Sequence, residues 1–308
     1  MKYFNIRKDI LATLAYFNMF DYPLKKNEIF LYLGHCNDYR EFEQALTNLL
    51  KDQAVYKMAD FYSLQNDSKL AIRRFKGNEL ATSMLKKAEK AAAIISAFPF
   101  VKAVAVSGSL SKHFADEQSD IDFFIITQAN RLWIARTFLH IFKKLTFLVR
   151  RQGHFCMNYF IDEKDSAIME KNIYTAMEIA TVLPLRDNGS FDQFFKANSW
   201  ASVFFPNKYL YTPSVRKPGN SWIKRLTEKS LNNTFGDSLD NFLMKQTARS
   251  WNAKTRANRT DNKGMLMSMY VGKHVSKPNP EVFQKKILQI YEDSLSEIFK
   301  RSELSAAK

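Results

Sequence analysis

Cysteine is nearly absent from this 308-residue chain, with only Cys36 and Cys156, far apart in sequence. They cannot build the bridged framework that holds small secreted domains together. A bilayer-crossing run is missing as well. The most apolar helix candidate, Leu132 to Val149, contains Arg136, His140, Lys143 and Lys144, too many polar groups for a membrane span. Charges interrupt the opening MKYFNIRKDILATLAYF, so no signal peptide is expected there. No internal repeat or low-complexity tract is present, and His154 with Cys156 lacks the further ligand-spaced partners of a zinc site. Together these absences direct the expectation to a cytoplasmic protein with reduced thiols and no membrane role.

What the chain does have is apolar bulk and an uneven charge. Apolar residues make up 46% of it and Phe alone occurs 26 times, enough for substantial cores in the two or three units expected at this length. The formal net charge is +15, with 14 Lys/Arg against 4 Asp/Glu in residues 201–280 and 8 against 8 in residues 1–64. The first region therefore carries +10, interleaved with Tyr209, Tyr211, Trp222, Trp251 and Tyr270, and the second carries zero. A concentrated basic surface draws polyanions such as nucleotides or RNA; a solvated basic loop with Pro, Asn and Gly at 213–220 and 258–264 is the competing reading.

Residues 1–68 read as three helices and a hairpin. Ile10, Leu11, Leu14 and Phe17 recur at helical spacing, Tyr22-Pro23 breaks the chain, and helices follow over about 26–33 and 40–52. Two β-prone runs then flank Ala59-Asp60. This layout resembles a winged helix-turn-helix. Its third helix carries Glu41, Glu43 and Asp52, poor equipment for neutralising DNA phosphates, so specific duplex DNA is not an expected partner. Residues 69–98 form a long connecting helix, with an interruption expected near Lys76-Gly77-Asn78.

The most informative stretch is VKAVAVSGSLSKHFADEQSDIDFFIIT, residues 101–127. An apolar strand runs into Gly108-Ser109, ten mostly polar or turn-forming residues follow, and Asp120-Ile121-Asp122 opens a second apolar strand. Gly108 admits close backbone approach to a phosphate, and Ser109 adds a hydroxyl and an amide at a helix start. Side chains alternate along a strand, so Asp120 and Asp122 share a face. Two such carboxylates suit Mg²⁺, which completes its shell with water and substrate phosphates.

These residues resemble the signature of the DNA polymerase beta-like nucleotidyltransferase superfamily, firmly over about 60 residues. The family commonly places Arg-Gly after its Gly-Ser, where this chain has Lys112-His113. Lys112 can still meet a phosphate as a point charge, whereas His113 reads best as a solvated surface residue. The resemblance implies an α+β fold: a mixed-sheet nucleotidyltransferase core of α/β type over 99–190, with the winged-helix-like unit before it and a basic, mainly helical region over 191–308. It implies a nucleotide held by Gly108, Ser109 and Lys112, with one or two Mg²⁺ on Asp120 and Asp122. A nucleoside triphosphate would give its nucleoside monophosphate to an acceptor hydroxyl (small molecule, protein or RNA), releasing pyrophosphate.

The family also supplies a third carboxylate from a strand beside the Asp-x-Asp strand. In HFCMNYFIDEKD, period-two alternation puts His154, Cys156, Asn158, Phe160 and Asp162 on one face. Asn158 falls at the family's position mid-strand, and Asp162 has the same parity at the strand's end. Asn cannot act as a general base. A catalytically weakened nucleotide-binding or regulatory protein is therefore the alternative, followed by an RNA-binding or RNA-modifying one.

Overall fold

The computed structural model describes residues 6–35, 38–148, 155–257, 260, 269–278 and 281–306. Cys36, His154, the side chain of Asn158 and most of the 258–264 loop lie outside them. The chain opens with α1 (Ile6–Asn18), β1 (Leu24–Lys25), α2 (Lys26–Leu31), α3 (Tyr39–Lys51) and the hairpin β2 (Tyr56–Met58) to β3 (Phe61–Ser63). The Asp38 carboxylate caps α3 by accepting from the N–H groups of Arg40 and Glu41, satisfying donors that a helix start leaves open. Strand β3 lies between β1 and β2, antiparallel to both. Three helices, a short strand and a hairpin thus pack around a core of Ile10, Leu14, Phe17, Phe42, Leu46 and Leu49.

Helix α4 (Ser68–Ser96) is continuous over 29 residues, which corrects the expected interruption at Gly77. A Cβ on Gly77 would lie 2.2 Å from the Phe114 ring. The glycine serves close packing here and does not break the helix.

The central sheet comprises β4 (Val101–Val106), β5 (Ile121–Thr127), β6 (Phe155–Asp162) and β7 (Leu183–Arg186), with β8 (Met269–Val271) and β9 (Val275–Pro278). Its order is β7-β4-β5-β6-β9-β8, with β5 and β6 parallel and every other pair antiparallel. The fold is the expected mixed α/β arrangement. The last two strands are an addition, since sequence patterning marked only helices beyond residue 191. They are three and four residues long, too short to show a period. Pro184 is tolerated because β7 is an edge strand.

Ladder pairing separates two faces. Ala103, Ala105, Phe124 and Ile126 belong to one cluster with the N-terminal unit, α7 (Ile173–Thr181) and α8 (Ser190–Ala197). Small alanines on β4 leave room for the Phe124 ring, 5.1 Å from that of Phe194. Of the aromatic run 191–205, Phe191, Phe194, Phe195 and Phe205 are buried in this cluster, with Trp200 and Phe204 packed against it. Val104, Val106, Phe123 and Ile125 face the opposite way, into a cluster with α4, α6 (Leu132–Leu148) and α10 (Thr234–Arg256).

The remaining elements are α5 (Gly108–Ser111), a 3-10 turn (Ser199–Val203), α9 (Trp222–Leu231) and the long α11 (Glu281–Ala306). Helix α11 packs on α1 and α7, with the Tyr291 and Tyr16 rings edge to face at 5.7 Å. It therefore joins the N-terminal unit to the sheet side. No helix of the described residues is long and apolar enough to cross a membrane.

Candidate functional site

Antiparallel pairing of β4 with β5 aligns Val106 with Phe123. Just beyond, the Ser107 N–H donates to the Asp122 carbonyl at 2.9 Å. The register thus sets Gly108 against Asp122. Gly108 has φ +70, and a Cβ there would come 3.2 Å from Asp122 Oδ2. A side chain at this position would be strained and would crowd the carboxylate. Gly-Ser and Asp-x-Asp, 12 positions apart between Gly108 and Asp120, meet because two strands pair.

Asp120 and Asp122 are both half-buried and Ser109 is exposed. A tight turn delivers the aspartates: Ser119 N donates to the Asp116 carbonyl at 3.0 Å, and Ser119 Oγ donates to Asp116 Oδ1 at 2.8 Å. The Lys112 Nζ donates to Gly108 O at 3.1 Å and to Glu178 Oε1 at 2.7 Å. The same glutamate accepts from Gly108 N at 3.3 Å through Oε2. Glu178 therefore holds two of the donors that the sequence assigns to a phosphate. His113 is exposed at φ +58, with Nε2 3.3 Å from Thr82 Oγ1, a surface position as expected.

Glu178 escaped the sequence reading. It is the only charged residue of α7, IYTAMEIAT, whose other members are mostly buried; a lone carboxylate in an apolar helix was the available signal. Burial raises the hydroxyl pKa of Tyr174, and the negative charges of Glu178 and Asp122 raise it further. The two carboxylates thus act on one tyrosine. Burial likewise raises Tyr16, with Glu178 the next cause.

Strand β6 departs from expectation. Asp122 pairs with Cys156 and Phe123 with Met157, but Phe124 pairs with Tyr159. Asn158 is the extra residue of a β-bulge, and one extra residue reverses the parity of all that follows. Asp162 pairs with Thr127, on the face opposite Asp122 and about 17 Å along the strand. Its carboxylate is fully buried, accepting from Asn130 N at 2.8 Å and Lys164 N at 3.0 Å, and it sits 2.8 Å from His274 Nδ1. Asp162 is thus a structural tie and no member of the site.

The N-terminal unit and α4 grip the same loop. Tyr22 Oη donates to the Lys112 carbonyl, the Tyr22 and Phe114 rings meet edge to face at 5.6 Å, and the Arg73 guanidinium stands 4.6 Å from the Phe114 ring centre. Among the described residues no group of three or more His, Cys, Asp or Glu is arranged to hold a metal ion. Asp120 and Asp122 make a two-carboxylate, hard-oxygen set, which fits Mg²⁺ in company with substrate phosphates. Comparison with protein-family models, curated proteins and solved structures found no match.

Proposed function

We propose that the chain is a Mg²⁺-dependent nucleotidyltransferase of the polymerase beta-like type. The observation that carries this reading is the placement of Gly108 beside the Asp122 carboxylate, so close that an added Cβ would lie 3.2 Å from Oδ2. It joins a left-handed turn just after β4 to an Asp-x-Asp pair at the start of the neighbouring strand β5. Gly108 and Ser109 would cradle the triphosphate, with Lys112 as a point charge. Asp120 and Asp122 would hold the metal, which when bound supplies neutralising charge for the phosphates.

An acceptor hydroxyl attacks the α-phosphorus in line, the bond to the bridging oxygen breaks, and pyrophosphate leaves. Positioning and charge neutralisation account for most such catalysis. The hydroxyl proton needs a carboxylate, and Glu178 is our candidate, since a phosphate arriving at Lys112 displaces it from that ammonium. This reading implies a compartment rich in nucleoside triphosphates, the cytoplasm.

A second reading, nucleotide binding without transfer, draws support from the bulge at Asn158 and from the Lys112–Glu178 pair at 2.7 Å. Incubation with α-labelled nucleoside triphosphates, Mg²⁺ and cell extract separates the two. Labelled product together with pyrophosphate supports transfer. Retained nucleotide without pyrophosphate supports the binder.

A further inference from the structure

Every aromatic side chain that is more than half exposed, among those described, falls between residues 201 and 280: Tyr209, Tyr211, Trp222, Phe235, Phe242 and Tyr270. This is the segment that carries 14 basic against 4 acidic residues. Apolar rings cost free energy in water, and their coincidence with the charge surplus calls for a ligand that uses both.

The rings and charges are arranged in stripes. On α10, Phe235, Phe242, Lys245, Arg249 and Arg256 follow at intervals of seven, three, four and seven, which keeps them on one side of the helix. On α9, Trp222, Arg225 and Lys229 repeat the arrangement. All eight side chains are exposed, and among the described residues none of the five cations forms an ion pair. The opposite sides of both helices are fixed. Lys224 Nζ donates to the carbonyls of Ser96 and Val101 at 2.9 and 2.8 Å, and Asp240 Oδ1 accepts from Ile134 N at 2.9 Å. The stripes therefore stand on rigid supports.

We infer that this face binds single-stranded nucleic acid, with RNA as the ligand to test. Cations track a phosphate backbone, and rings stack on bases without regard to sequence. Helix α10 alone offers a track of about 35 Å, from its 1.5 Å rise per residue. A second copy of the chain fits poorly, because two faces of the same sign repel. An anionic membrane would use the rings by insertion from one plane. Here they are spread over an extended segment, two helices and a strand, a distribution suited to a flexible strand of nucleotides. This binding is independent of nucleotidyl transfer and is measured without a triphosphate.

The full-length protein is titrated into a fluorescently labelled single-stranded RNA of mixed sequence, about 16 nucleotides long, and anisotropy is followed at several salt concentrations. Affinity that falls steeply with salt is expected. The pair Lys245→Glu with Arg249→Glu should raise Kd at least about tenfold. Trp222→Ala and Phe242→Ala, which leave the charge unchanged, should each raise it at least about fivefold. Circular dichroism and the melting temperature confirm that each variant is folded. Absence of binding at low salt would overturn the inference. So would aromatic variants that bind as tightly as the parent, because charge alone would then explain the affinity. Capture by phosphatidylglycerol vesicles with no RNA affinity would reassign the face to a membrane and overturn it equally.

Discussion

The two ends of the β5–β6 strand pair carry aspartates in contrasting states. At one end Asp120 and Asp122 are half-buried, beside a glycine whose added Cβ would lie 3.2 Å from Asp122 Oδ2. At the other, Asp162 is fully buried and encircled by backbone N–H groups and His274. Identical chemistry thus has opposite uses. A fully buried carboxylate ties loops together, whereas a half-buried one is within reach of solvent. What separates them is burial, which residue type cannot express.

The contrast is sharpest in stability. Asp162→Ala removes a fully buried carboxylate and leaves its part-buried donors without their acceptor, where a buried group left unsatisfied costs about 1–3 kcal/mol. A loss of about 3–5 kcal/mol in urea unfolding is expected. A loss below about 1 kcal/mol would erase the distinction between the two ends.

Next in size is Gly77→Ala. Its Cβ would meet the Phe114 ring at 2.2 Å, an overpacking that costs about 1–3 kcal/mol. Because Phe114 anchors the loop after Gly108, nucleotide affinity should fall with the melting temperature. A variant of unchanged stability would show that the ring moves aside freely.

Gly108→Ala forces a side chain into the left-handed region at φ +70, at a cost of about 1 kcal/mol or more. Here the loss of nucleotide binding should exceed the loss of stability, the reverse of Asp162→Ala. Equal losses would place Gly108 among the structural positions.

The same contrast of buried and open groups predicts a pH dependence. Burial, with help from Arg136, lowers the His140 pKa to about 4. Between that value and the unfolded value near 6.5 the unfolded chain binds the extra proton, so stability rises with pH through this window and is lost as pH falls. NMR titration should find His140 neutral at pH 5, and His140→Gln should flatten the stability profile between about pH 4 and 6.5. A charged His140 at pH 5 would contradict the burial assigned to α6.

The sequence displayed the local features well. Helical periodicity around Ile10 to Phe17, the Ala59-Asp60 turn and the apolar runs either side of Gly108 and Asp120 each depend on near neighbours, and the structure contains all of them. The bulge at Asn158 was invisible, because one extra residue in a ladder leaves HFCMNYFID looking like an ordinary strand. Strand parity carried past it put Asp162 on the wrong face. Glu178 was invisible for a different reason. It reaches Gly108 and Lys112 from a helix distant in sequence, and only the folded sheet brings them together. Gly77 looked like a helix breaker because the ring packed against it belongs to a residue 37 positions away.

The most direct test of the central claim is the double substitution Asp120→Asn with Asp122→Asn, compared with the parent for Mg²⁺-dependent nucleotide binding and pyrophosphate release. The account predicts a folded protein, with a melting temperature near that of the parent, that has lost both activities. A folded double variant that still binds and transfers nucleotide at the parent rate would contradict it.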